Sequence, residues 1–296
     1  IQTPGFLGFF YIGINEMKLI ARGRELNLSS PQVMGILNVT PDSFSDGGTH
    51  NSLNDAINHA AKLIAEGASI IEIGGESTRP GASDVSVDEE LHRVIPVVEA
   101  IQQRFDVWIS VDTSKAQVIT ESAQAGASII NDIRSLTEPG ALQAAAKTGL
   151  PVCIMHMQGL PKTMQHSPQY KNVMIEVDAF LAENIQRCID AGIEKNQIIL
   201  DPGFGFGKNL AHNYQLLAHL SDFHHFGLPI LAGMSRKSMV GQLLNVPPQE
   251  RVAGSVACAV IAAMQGAQII RVHDVKETVD AMKVVQATLS AKENNE

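Results

Sequence analysis

At 296 residues, with 45% hydrophobic and 18% charged side chains, the chain has the composition of a folded protein with a sizeable core, not of a disordered one. Its formal net charge of −9 argues against the clustered Lys and Arg of a nucleic-acid binder, but leaves room for a local anion site. Three scattered cysteines, Cys153, Cys188 and Cys258, lack metal-ligand spacing and read as buried small hydrophobes in a reducing, cytoplasmic compartment.

Residues 1–16 (IQTPGFLGFFYIGINE) contain no Lys or Arg. They have neither the basic start of a secretory signal nor the run of roughly 20 apolar residues that spans a membrane. They are read as a leader or added extension without assigned function, and residues 17–292 as one domain. Lys18–Leu28 is expected to form a short N-terminal β-hairpin at the floor of that domain.

From residue 33 onward, short β-branched runs alternate with helix-length stretches. The predicted strands are Val33–Leu37, Ile70–Ile73, Trp108–Val111, Ser128–Ile130, Val152–Met155, Ile198–Leu200, Pro229–Ala232 and Ile269–Val272. Predicted helices between them include Asn54–Glu66, Asp88–Arg104, Ser114–Ala125, Gly140–Thr148, Val173–Ala191 and Arg251–Gln265. Gly67, Gly126, Gly149, Gly192 and Gly266 fit the C-caps that return these helices to strands. Alternation of this kind implies right-handed parallel crossovers. Eight units in about 250 residues fit a closed (β/α)8 barrel, with an open doubly wound sheet as the alternative.

The informative observation is where the polar residues fall. Asn38 follows VMGIL, and Glu76, Thr78 and Arg79 follow IIEIGG. Asp112 ends WISVD, Asn131 follows SII, His156 follows VCIM, and Asp201 follows IIL. Lys237 lies past PILAG, and Arg271 and His273 bracket the end of IIRV. In a barrel these positions converge on the C-terminal mouth, where active sites are built. Asp112, Asn131 and Asp201 suit a flat heterocycle rich in N–H donors, while Arg271, His273 and the Asn38 amide suit a phosphate-like anion.

Two segments, Thr40–Thr49 and Gly74–Gly81, have the composition of loops that close over a substrate. The run DPGFGFGK (Asp201–Lys208) is neither a Walker loop nor a dinucleotide fingerprint, because Pro202, Asn209 and Lys208 occupy the wrong positions. Its glycines are expected to let backbone approach a ligand, with Phe204 and Phe206 as apolar walls. The role of Glu72, inside a strand run, stays open, as does that of His156. The remaining histidines, His59, His92, His212, His219, His224 and His225, read as surface or core residues.

Taken together, VMGILNVTPDSFSDGG (33–48), IIEIGGESTRPGA (70–82), SVDTSKA (110–116), IINDIRSL (129–136), MHMQGLPKTMQ (155–165), LDPGFGFGK (200–208), GMSRKS (233–238) and RVHDV (271–275) resemble successive blocks of the dihydropteroate synthase family. The resemblance implies a pterin-binding (β/α)8 barrel that condenses 6-hydroxymethyl-7,8-dihydropterin pyrophosphate with 4-aminobenzoate by an SN1-like path. It implies a pterin pocket of Asp112, Asn131, Asp201 and Lys237, and a pyrophosphate site of Asn38, Thr78, Arg79, Arg271 and His273. It further implies 4-aminobenzoate surroundings of Phe44, Pro80, Phe206 and Ser235, Mg2+ beside Asn38, and a homodimer through helices of the C-terminal half. Asp112, Asp201, Lys237, Arg271 and His273 would carry the catalysis. Two rivals are a pterin-binding methyltransferase, which would need no anion site, and a non-catalytic homologue, which would have lost loop or anion-site residues.

Overall fold

The computed structural model describes residues 17–40, 49–77, 84–159, 164 and 168–293. Thr78, Arg79, Phe44 and Pro80, together with residues 1–16, most of the first early loop and the second half of the other, lie outside the described residues.

The chain opens with the expected hairpin, β1 (Lys18–Ala21) and β2 (Arg24–Asn27), paired antiparallel. Its burial alternates, so Leu19, Ala21 and Leu26 face the core while Lys18 and Glu25 pair outside. Arg24 donates to the carbonyl of Val107, and Gln197 donates to that of Ile20. Both Val107 and Gln197 immediately precede barrel strands, so the hairpin covers the N-terminal floor.

Eight strands then follow: β3 (Gln32–Asn38), β4 (Ile70–Gly74), β5 (Trp108–Asp112), β6 (Ile129–Asp132), β7 (Val152–Met155), β8 (Ile198–Asp201), β9 (Leu231–Ala232) and β10 (Ile269–Val272). All neighbours are parallel, in the order β8-β7-β6-β5-β4-β3-β10-β9. A parallel bridge from Leu200 to Ile230, with Leu200 donating to the Pro229 carbonyl at 2.8 Å, joins the two ends. The sheet is therefore a closed barrel, not an open doubly wound sheet. Closure leaves no unpaired edge, and both faces are covered, which is why the strands read as continuous apolar runs.

The covering helices are α1 (Thr49–Ala65), α2 (Val87–Arg104), α3 (Ala116–Ala125), α4 (Ala141–Thr148), α5 (Val173–Asp190), α6 (Leu210–Ala218), α7 (Ser238–Leu244), α8 (Val252–Met264) and α9 (Val275–Glu293). Local chemistry sets their starts. The Ser86 side chain accepts from Glu89 N to cap α2, and the Asn172 side chain accepts from Met174 N and Ile175 N to cap α5. In α8 the buried positions Ser255, Cys258, Ala259, Ala262 and Ala263 repeat at helical spacing and form a barrel wall. The same helix leaves Ile261 and Met264 exposed. All five predicted C-cap glycines have positive φ. The predicted helix Ser114–Ala125 starts two residues later, because the Ser114 hydroxyl is drawn off to the Asp132 carboxylate. All three cysteines are free and buried.

Candidate active site

Strand register builds the mouth row by row. Asn38 pairs with Gly74, Gly74 with Asp112, and Asp112 with Asn131, so four neighbouring strands deliver these residues to one level. Two residues deeper, Ile36, Glu72 and Ser110 are successive partners. Period-two alternation then puts Glu72 on the same inner face as Gly74 two residues later.

Glu72 is the hub, and sequence reasoning left its role open. It is only 1% exposed, accepts from Asn131 Nδ2 at 2.7 Å on Oε1, and takes Nε and Nη2 of Arg271 on Oε2. Asp112 Oδ2 lies 3.7 Å from Arg271 Nη2. Asp112, Asn131 and Arg271 thus meet around one buried carboxylate. A Glu in an otherwise apolar run (IIEIG) was the available signal; only the barrel's handedness and register say what it faces.

The electrostatics follow from this crowding. Burial, with the Glu72 charge adding to it, pushes the Asp112 carboxyl up to about 8. Burial also raises Asp201, opposed by the nearby charge of Lys237 and by Gly203 N, which donates to Asp201 Oδ1 at 2.7 Å. Lys237 is lowered to about 8 by burial, against the attraction of Asp201. Burial disfavours the Arg271 cation, yet Glu72 more than compensates and lifts it. Two groups that change charge near neutral pH therefore share one cavity with a fixed ion pair. Such perturbed sets mark functional sites more often than packing.

Two buried oxygens, Asn131 Oδ1 and Ser110 Oγ, have no hydrogen-bond partner among the described residues. Asn131 spends its donor on Glu72 and keeps its acceptor open. A buried acceptor without a partner is costly unless a ligand supplies the donor.

On the opposite side of the mouth, Lys237 Nζ donates to the Phe204 carbonyl at 2.6 Å and stands 4.6 Å from the centroid of the Phe206 ring. Ser235 Oγ accepts from His273 N at 3.1 Å and lies the same distance from its Nδ1. Arg236 Nε donates to Asp274 at 2.9 Å. That pairing ties the loop carrying Ser235 and Lys237 to the segment carrying His273.

The expectation for the glycine run needs correcting. Its backbone closes on protein, not on a ligand: a Cβ on Gly203 would stand 1.8 Å from the His156 carbonyl oxygen, and one on Gly207 2.3 Å from that of Gln158. Phe204 is fully buried in the core and walls nothing open, whereas Phe206 stays partly exposed beside Lys237. The remaining histidines follow the bland reading: His212 completes the α6 capping box, and His224 contacts the Gln265 carbonyl. Glu76 joins Lys115 and the buried Glu90, below the start of the second loop.

Asn38 is the residue available to a cation. Asn38 Oδ1 lies beside Gly74, 3.6 Å from where a Cβ would stand. An amide oxygen is a hard donor that suits Mg2+. Among the described residues, no group of three or more His, Cys, Asp or Glu could hold a metal. The site thus fits a cation that takes most ligands from substrate and water. No helix among the described residues is long and apolar enough to cross a membrane.

Residues 34–273 match the family model described as pterin binding enzyme. The dihydropteroate synthase of Escherichia coli (strain K12) is 73% identical over 278 residues, covering 94% of this chain and 99% of that one. The dihydropteroate synthase of Haemophilus influenzae is 58% identical over 275 residues, covering 93% and 100%. Among solved structures, Yersinia pestis dihydropteroate synthase in a sulfonamide drug complex matches with a TM-score of 0.89 and 74% identity, covering 93% and 100%. Xanthomonas albilineans dihydropteroate synthase with 4-aminobenzoic acid matches with a TM-score of 0.87 and 50% identity, covering 92% and 98%.

Proposed function

The chain belongs to the dihydropteroate synthase family of pterin binding enzymes, and from that premise we propose how the mouth of its barrel runs the family's reaction. It is a transferase that joins 6-hydroxymethyl-7,8-dihydropterin pyrophosphate to 4-aminobenzoate, giving 7,8-dihydropteroate and pyrophosphate. One observation carries the assignment of the pterin pocket: Asn131 is buried, oriented by Glu72, and left with an open acceptor.

In this reading Asp112, Asn131 and Asp201 receive the N–H edge of the pterin, and Lys237 reaches its carbonyl side. The C–O bond between the pterin methylene and the diphosphate stretches first, and positive charge spreads into the electron-rich ring. Asp201 stabilises that charge, and Asp112 does so once the N–H edge of the bound pterin favours its ionised form. Arg271 and His273, with Thr78 and Arg79 of the second loop, hold the departing diphosphate. Arg271 serves both halves: its Nε and Nη2 rest on Glu72, and its side chain stays partly exposed at the mouth. The amine of 4-aminobenzoate, among Phe44, Pro80, Phe206 and Ser235, then bonds to the methylene and loses a proton. An aromatic amine is already unprotonated at neutral pH, so no strong base is required. Asn38 would hold Mg2+, which supplies charge neutralisation for the diphosphate oxygens when bound.

Two further features belong to the same reading. A homodimer through α7 and α8 is supported by exposed Leu243, Leu244, Ile261 and Met264, and sedimentation tests it. A cytoplasmic site is supported by three free, buried thiols. The decisive assay mixes protein, pterin pyrophosphate, Mg2+ and 4-aminobenzoate and measures pyrophosphate release. Binding of both substrates without release would favour the non-catalytic homologue instead.

A further inference from the structure

Lys208 is not needed for any step above, yet it is the most deeply embedded lysine near the mouth, at 3% exposure. It has no carboxylate within ion-pair distance among the described residues. Its Nζ instead donates to the Gly203 carbonyl at 2.8 Å and the Phe206 carbonyl at 3.1 Å, and it meets His156 Nδ1 at 2.9 Å. Burial lowers Lys208 to about 7 and His156 to about 3, which favours an uncharged imidazole against the amine.

The reason for this arrangement lies in the loop that Lys208 closes. Gly203, Gly205 and Gly207 all have positive φ, which turns carbonyls of the 203–207 segment inward. Those carbonyls converge on a point too enclosed for bulk water. A lysine side chain threads into it and supplies the donors, while His156, held by its own N–H to the Asp201 carbonyl at 3.0 Å, closes the far side. Asn213 grips the loop from α6, accepting from Gly205 N at 2.7 Å. The loop in turn contacts Lys237 twice, through the Phe204 carbonyl and the Phe206 ring, and a Cβ on Gly205 would press on the Lys237 stem at 3.2 Å.

We propose that Lys208, seated on His156, is a positioning residue that fixes the glycine loop and thereby aims Lys237 into the pterin pocket. The proposal rests on the reading of Lys237 as a pterin-binding group. Charged groups facing Lys237 come from four strands or their ends: Asp201, Arg271, Glu72 and Asp112. Lys208 is a further cation felt by it, so His156→Asn, which keeps that charge, separates positioning from lost repulsion. Of these Asp201 is tied to the loop, through Gly203 N on its Oδ1, so loosening the loop alters both the solvation of Lys237 and its nearest carboxylate.

The test uses Lys208→Met, which keeps the stem and removes the donors, with 6-hydroxymethyl-7,8-dihydropterin as the probe in titration calorimetry across pH. Expected is a dissociation constant raised roughly tenfold or more, as for a misplaced binding group. The alkaline limb of binding should also move upward from near 8, because water reaches Lys237. His156→Asn, which keeps Lys208, should shift both quantities in the same direction by less, and it stands in if Lys208→Met does not fold. A lowered Tm with unchanged affinity and an unmoved alkaline limb in the folded variants would overturn the positioning role. Failure of the unmodified protein to bind the pterin at all would overturn the reading of the mouth and this inference with it.

Discussion

Arg271 on β10 and Glu72 on β4 form a buried ion pair at the centre of the mouth, with Nε and Nη2 of the guanidinium both on Glu72 Oε2. The carboxylate's other oxygen takes Asn131, so a single buried side chain orients both the Arg271 guanidinium and the Asn131 amide. Glu72→Gln keeps the shape and removes the charge, leaving a largely buried Arg271 with only Asp112 at 3.7 Å. Breaking a buried pair in this way costs about 3 kcal/mol or more. Denaturant unfolding should show that loss, together with weaker pterin binding. Stability within a few tenths of a kcal/mol of the parent protein would remove Glu72 from the centre of the site.

Asp112 gives a pH signature with a definite sign. Its folded-state carboxyl is pushed up to about 8 from an ordinary value of 3.8. Across that window the unfolded carboxyl is ionised and the folded one still holds its proton, so the parent protein loses stability as pH rises. Asn carries no titrating proton and mimics the protonated form. Asp112→Asn should therefore gain stability relative to the parent as pH rises through the window, by calorimetric Tm, while binding pterin less well. A Tm difference that is flat in pH would mean that Asp112 is not held protonated.

These two residues also show what the sequence could and could not disclose. Asp112 was legible because a charged residue terminating an apolar strand, WISVD, has to sit at a barrel rim. Glu72 was not, since IIEIG gives a buried position but not the residues facing it, which come from β6 and β10, 59 and 199 residues away. The strands were legible for a physical reason: closure buries both faces and leaves short apolar runs. Helix ends shifted where a side chain was drawn elsewhere, as with Ser114. The glycine run misled because its closest neighbours, the carbonyls of His156 and Gln158, belong to a different βα unit.

Asp201 tests the pterin pocket apart from the anion site. Its Oδ1 is already engaged by Gly203 N, so its position survives substitution better than its charge does. Asp201→Asn should weaken binding of the bare dihydropterin by roughly tenfold to a hundredfold, the range for hydrogen bonds to a charged group. Pyrophosphate affinity should change far less. Equal losses for both ligands would argue that Asp201 acts through general collapse of the mouth.

Two glycines separate backbone strain from collision. Gly149 has φ +66 and open space where a Cβ would go; Gly203 has φ +73 and the His156 oxygen 1.8 Å from that point. Gly149→Ala should cost about 1–2 kcal/mol, the left-handed penalty alone. Gly203→Ala carries the same penalty plus overpacking of roughly 1–3 kcal/mol, and it should also reduce turnover, because the displaced loop carries the contacts to Lys237. Urea unfolding compares the two directly. Equal costs would mean that the glycine loop yields freely and does not hold the mouth.

Asn38 decides whether Mg2+ arrives as part of the substrate complex. In the proposed reading, one amide oxygen is far short of an octahedral shell, and the diphosphate and water provide the rest. Chelation should then abolish pyrophosphate release while leaving bare-dihydropterin binding intact, since the pterin pocket draws nothing from the cation. Asn38→Ala should raise the Mg2+ concentration for half-maximal release roughly tenfold, in line with losing one contact to a charged group, with little change in apparent affinity for 4-aminobenzoate. The two outcomes are coupled: a cation held mainly by substrate weakens with the loss of Asn38 but is not eliminated. Complete loss of Mg2+ response in Asn38→Ala would point to a preformed protein site, and full indifference to chelation would remove the cation from the reaction.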